Sequence, residues 1–254
     1  MSGKEELKIK TPPSPWTANV ITLFPEMFPG GLACSLVGKA LKKNLWSLEV
    51  TNLREFSYDD RRTVDGSPTG GGAGQIIRAD VLDQAISHTT NSCEYSREEW
   101  PVLALSPRGK VFNQDMALNF SYCKGLTLIC GRYEGIDERV LEFHNIPEIS
   151  LGDFIMSGGE IAAQVLIDTT VRLIPQVLGN QDSLLEESFS FGLLEYPQYT
   201  SPRKWRGLKT PEELISGHHE KIKQWRRLKS EEITKARRPD LWYRYKRTNK
   251  TESI

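Results

Sequence analysis

The 254-residue sequence has only four cysteines and four histidines. Cys34, Cys93, Cys123 and Cys130 form no CxxC pair and stand too far apart for a disulfide framework or a zinc site. They read as reduced thiols of a cytoplasmic protein. His218 and His219 are adjacent, so on a helix they point about 100° apart and do not readily share an ion; no metal site is expected. No apolar run approaches the roughly 20 residues of a membrane span. The first 15 residues are polar and lack an apolar stretch, which predicts a disordered extension and not a signal peptide. Thr69–Gly74 (TGGGAG) lacks the GK[ST] ending of a phosphate loop, so a nucleoside triphosphate site is not expected. It is either a flexible loop or a point of close backbone approach. The glycines of Cys130–Gly135 (CGRYEG) are four apart and fall short of GxGxxG.

Net charge is also missing, but only in the sum. From Leu194 to Ile254 there are 16 Lys and Arg against 8 Asp and Glu, while the rest of the chain carries 17 against 25. A basic end of this kind suits a polyanion such as nucleic acid, or is simply a solvated helix surface.

What is present is an alternation of short apolar runs and helical spacings. Ala18–Phe24, Leu48–Asn52, Val102–Leu105 and Gly125–Cys130 are expected strands. Leu32–Asn44 and Ile161–Leu173 carry helical spacing, the latter stopped by Pro175. This predicts an α/β domain with a mostly parallel sheet, whose ligands sit beyond the carboxyl ends of the strands, in the loops after Leu105 and Cys130. Gly179–Ser190 reads as a linker. Beyond it, Thr210–Glu213 looks like a capping box with Pro211 at the first helical position and Gly217 closing the helix. Ile222, Trp225 and Leu228 then mark one face of a second helix. The expected divisions are an extension at 1–17, a domain at 18–178, a linker at 179–192 and a small helical domain at 193–254.

Taken one at a time, CGRYEG and Ser157–Glu160 (SGGE) are weak signals. In combination, Leu105-Ser106-Pro107, CGRYEGIDERV (Cys130–Val140), Leu151-Gly152-Asp153-Phe154, SGGE and GLLEYPQYT (Gly192–Thr200) resemble the bacterial tRNA (guanine-N1)-methyltransferase family of the SPOUT superfamily, over about Ala18–Leu241. The resemblance implies the SPOUT fold with a deep trefoil knot, a feature no periodicity would suggest. It implies transfer of a methyl group from S-adenosyl-L-methionine to guanosine 37 of tRNA, next to the anticodon, a modification that maintains the reading frame. It implies a homodimer with active sites at the interface, the linker and helical domain of one subunit covering the knot of the other. Magnesium dependence stays open.

By position, the resemblance assigns the methyl donor to three loops. The first contributes Ala104, Leu105, Ser106 and Pro107, and the second Gly131, Tyr133, Glu134 and Gly135. The third contributes Ser150, Leu151, Gly152, Phe154, Met156, Gly158, Gly159 and Ala162, the last standing where the family usually has proline. Guanine N1 bears a hydrogen and needs a base before it can attack, and the charge that spreads to O6 needs a cation. The resemblance places Arg172 at O6 and Glu187 as the base, where the family usually has aspartate; Asp182, five residues earlier, is less suited. Glu134 is implied to orient the guanine or the donor, and Lys204, Arg226 and Arg227 to contact tRNA. Rival readings are a methyltransferase acting on a ribose 2′-hydroxyl, which would not need the Arg172–Glu187 pair, and an RNA-binding protein without catalysis, which would not need intact CGRYEG and SGGE.

Overall fold

In the computed structural model, which describes residues 15–91, 93–180 and 186–251, every residue of the first strand, β1 (Trp16–Thr22), is buried. Such a strand must be covered on both faces, as the strands of a parallel sheet are. It starts two residues before the expected domain boundary. Next come α1 (Ser35–Lys42), β2 (Trp46–Asn52), β3 (Asp65–Gly66), β4 (Ile76–Ile77), α2 (Ala79–Asn91) and β5 (Val102–Val111). The chain continues with α3 (Gln114–Tyr122), β6 (Gly125–Cys130), α4 (Glu138–Phe143), β7 (Glu148–Ser150) and α5 (Glu160–Val171). The central sheet has the order β2-β1-β6-β5-β7 and all its pairings are parallel; β3 and β4 form a small antiparallel pair.

Side chains two apart share a sheet face, and the two faces build two cores. Trp16, Ala18 and Val20 of β1 join Leu126, Leu128 and Cys130 of β6, packed with residues of α1 and α5. Ile21, Ala104 and Ile129 face the other way, onto Val81, Leu82, Ala85 and Ile86 of α2 and Val140 and Leu141 of α4. The fully buried Trp16 and Trp46 each donate their indole N–H to a backbone oxygen, of Phe120 at 3.0 Å and of Val37 at 2.9 Å. Each buried ring of this kind stabilises the core by about 1.5–3 kcal/mol or more.

The structure departs from expectation at β5. The expected strand ends at Leu105, but here it resumes: Ile149 lies opposite both Leu105 and Lys110, so residues 106–109 bulge out of the ladder. The bulge is the expected ligand loop, held at both ends by strand.

Two compact units are distinguished, Met1–Gly179 and Asn180–Ile254. The second contains the hairpin β8 (Lys204–Trp205) and β9 (Leu208–Lys209), then α6 (Glu212–Ile215), α7 (His219–Arg237) and α8 (Pro239–Thr251). The capping box does not form: α6 is one turn long, Pro211 is its N-cap, and no side chain caps it. Thr210 is drawn into the hairpin, its N–H donating to Arg203 O at 2.9 Å. Along α7, Trp225, Ser230 and Thr234 are buried, whereas Leu228 is 52% exposed and not on the inner face as expected. Thr234 Oγ1 accepts from Leu194 N at 2.8 Å, which ties the preceding segment to the helix. The extension at 1–14 and Asp182 lie outside the described residues.

Candidate active site

At the bulge of β5 and beyond the carboxyl ends of β6 and β7 lies a cavity of about 870 Å³. Leu105, Ser106 and Pro107 line it from the bulge, Gly131, Tyr133, Glu134 and Gly135 from the loop after β6, and Ser150, Leu151, Gly152, Phe154, Met156, Gly158, Gly159 and Ala162 from the segment after β7. Ala104 does not: it is fully buried in β5 and faces the α2 core. Strand alternation accounts for that exception, since a residue one position inside the strand end points away from its neighbour.

The loops are held in register by their backbones. Gly159, the N-cap of α5, donates its N–H to Gly131 O at 2.9 Å. A Cβ at Gly159 would sit 2.8 Å from Cys130 Cα and 3.0 Å from Gly131 N, so only glycine permits this approach. Arg132 reaches across the same gap: its Nη1 donates to Ser157 O at 3.1 Å and its Nε lies 2.9 Å from Glu160 Oε2. Glu160 is fully buried and also accepts from Thr22 Oγ1 at 2.8 Å. The guanidinium of Arg132 stacks on Phe24, 4.2 Å from its centroid. Burial, reinforced by the Glu160 carboxylate and opposed by Arg132, pushes the Cys130 thiol well above its usual range, so it stays a neutral packing group.

Several lining residues were not among those expected. Pro68, Thr69 and Ile76 enter because the glycine-rich loop ends against the loop after β6. Glu134 N donates to Gln75 O at 2.9 Å, and Ile77 N to Gly135 O at 3.0 Å. The cluster Thr69–Gly74 was the only sequence signal for this contact. Arg108 lines the bulge, with Nη2 2.7 Å from Glu138 and 2.9 Å from Glu148. Asp137 caps α4 by accepting from Arg139 N, and the Arg139 guanidinium lowers its pKa.

Arg172, half-buried, is the C-cap of α5 and is not among the lining residues. Glu187, also half-buried, lies in the second unit, where its carbonyl accepts from Ser190 N at 3.3 Å. Arg226 is bound to Glu186 at 3.0 Å and stacks on Tyr196, while Arg227 pairs with Glu231 at 3.1 Å. Both are therefore engaged within their own unit. Lys204 is exposed on the hairpin.

Chemically, the cavity offers apolar surface for a flat ring from Leu105, Ile136 and Leu151, together with the closely approached backbone of the loops. Glu134, Asp137 and Glu138 add carboxylates at its wall. Among the described residues, no group of three or more His, Cys, Asp or Glu is placed to hold a metal ion, and no helix is long and apolar enough to cross a membrane.

Comparison with known proteins gives a family match over residues 17–244, to the family described as tRNA (Guanine-1)-methyltransferase TrmD. A tRNA (guanine-N(1)-)-methyltransferase of Ruegeria sp. (strain TM1040) is 57% identical over 237 residues, 93% of this chain and 96% of the relative. Proteins of the same name from Rhodospirillum rubrum and Zymomonas mobilis are 53% and 51% identical, covering 90% and 91% of this chain and 93% and 92% of theirs.

Proposed function

The chain belongs to the tRNA (guanine-1)-methyltransferase family, and from that premise we propose that it transfers a methyl group from S-adenosyl-L-methionine to N1 of guanosine 37 in tRNA. The observation that carries this reading is the single cavity into which CGRYEG, SGGE and the bulge after Leu105 converge. Its fit to the donor is supported by the glycine-permitted approach of Gly159 to Cys130 and Gly131, which sets the backbones of the two loops side by side at the cavity, and by apolar walls suited to adenine. When bound there, the donor supplies an electrophilic methyl on a sulfonium, which needs alignment and not a metal. The backbone of Gly131–Gly135 and Ser150–Gly159 would hold its polar edges, and Leu105 and Leu151 would flank the ring.

The remaining roles belong to this chain's own side chains. Glu187 takes the N1 proton, so that the ring nitrogen becomes nucleophilic. Arg172 stabilises the charge that moves to O6, and Glu134 orients the base. A near-attack approach of about 3–3.5 Å is sensitive to the methylene by which Glu187 exceeds aspartate. We assign the trefoil knot to the segments around the cavity and tRNA binding to the C-terminal helical domain. The working form is taken as a cytoplasmic homodimer with active sites at the interface. A magnesium requirement is read out by chelation during turnover.

The test is incorporation of labelled methyl into a tRNA transcript. Guanosine at position 37 should give transfer and adenosine at 37 none; transfer to the adenosine transcript would rule out the target. Glu187→Gln should keep donor affinity and lose most turnover.

A further inference from the structure

The second unit's cations differ in their surroundings. On α7 and at its end, Arg226 pairs with Glu186, Arg227 with Glu231, Lys229 with Glu232 and Arg238 with Asp240, although Lys221, Lys223, Lys235 and Arg237 form no such pair among the described residues. The hairpin cations are set apart by their concentration. Arg203, Lys204, Arg206 and Lys209 form no ion pair among the described residues, and the segment 203–209 holds no acid. The register sets Lys204 directly opposite Lys209. Opposed strand residues have Cβ atoms about 4.5–5.5 Å apart, and like charges at that spacing destabilise a pairing that is already short.

The other opposed pair is apolar. Trp205 faces Leu208, and they are 58% and 70% exposed. The Arg206 guanidinium lies 5.0 Å over the Trp205 ring. Arg206 and Gly207, the two turn residues, have φ of +49° and +85°. Glycine adopts this freely, whereas arginine does so against its preference, where Asn or Asp would be easier. An opposed lysine pair and an exposed indole therefore lie within seven residues, beside a turn that arginine adopts against its preference, and a polyanion with unpaired bases would offset the charge and cover the ring.

We propose that the hairpin Lys204–Lys209 is a docking element for the substrate RNA, with Trp205 stacking on an unpaired base and Lys204, Arg206 and Lys209 holding the flanking phosphates. Stacking on an exposed aromatic ring beside cations is a general way to hold unpaired nucleotides. The proposal rests on the tRNA reading above and moves the RNA contact from Arg226 and Arg227 to the hairpin.

The experiment measures tRNA affinity of the full chain across a salt series, without donor, alongside donor affinity by calorimetry. Trp205→Ala should weaken tRNA binding about 5- to 100-fold, and Trp205→Phe should recover much of the loss. The double variant Lys204→Gln/Lys209→Gln should make the slope of log affinity against log salt shallower by about 2, one released counterion per lost phosphate contact. Donor affinity should hold in all three, which separates a lost RNA contact from a misfolded chain. If Trp205→Ala also loses donor affinity, the lysine pair decides. Wild-type tRNA affinity and salt slope in folded variants would overturn the proposal and leave the patch to a protein partner. Failure of the methylation reading shows separately, as absent methyl transfer by a wild-type chain whose RNA binding has been measured.

Discussion

Arg132 Nε lies 2.9 Å from Oε2 of Glu160, a fully buried carboxylate at the first position of α5. The pair joins the loop after β6 to the segment after β7, the two walls of the cavity. Removing one partner of a buried pair leaves an uncompensated charge, which costs about 3–5 kcal/mol. Glu160→Gln should therefore lower the denaturant midpoint and weaken donor binding. Arg132→Met/Glu160→Met should recover much of the stability and not the donor affinity, because the walls are no longer pinned. Chemical denaturation and calorimetry on the same samples separate these effects.

At Gly159 the walls meet through backbone atoms, so no flexible side chain can yield. Gly159→Ala places a Cβ 2.8 Å from Cys130 Cα, and overpacking of this kind typically costs about 1–3 kcal/mol. Donor affinity should fall further than stability does, as the displaced atoms are those of the cavity wall. Isothermal titration against thermal unfolding gives the comparison.

Tyr196 donates to Glu186 Oε2 at 2.6 Å, and burial followed by this bond pushes its pKa up to about 12. An unfolded tyrosine ionises near 10. Because the folded value is the higher, the contribution to stability is complete below about pH 10 and is lost as pH rises from there towards about 12. A spectrophotometric titration should show one tyrosine ionising late. Tyr196→Phe should remove that component and flatten the fall in stability over the same window.

Cys34 is exposed and Cys130 is buried with its thiol held neutral. Alkylation of the native chain should modify Cys34 and spare Cys130, with peptide mapping as the readout. Denaturant should equalise the two. Rapid labelling of native Cys130 would mean that the sheet end opens readily.

Much of the sheet was legible because burial on both faces leaves unbroken apolar runs. Gly125–Cys130 was expected as a strand and is β6 residue for residue. The helical spacing of Val81, Leu82, Ala85 and Ile86 was equally present in the sequence but not part of that reading, and it is α2. The cavity loops were found by motif, and the motif supplied the residues without their mutual contacts. Backbone bonds such as Glu134 N to Gln75 O leave no side-chain signature, so the glycine-rich loop could not be placed beside CGRYEG. The hairpin escaped for a different reason, since strands of two residues show no period. Nor could charge counting distinguish Arg226, which Glu186 holds, from Lys204, which forms no ion pair among the described residues.

The most direct measurement of the central claim is the identity of the methylated nucleoside. Wild-type tRNA transcript carrying guanosine 37, treated with the enzyme and S-adenosyl-L-methionine and digested to nucleosides, should yield N1-methylguanosine by mass spectrometry, mapped to position 37. A methyl group on a ribose 2′-oxygen, or on a guanosine elsewhere in the tRNA, would contradict the account.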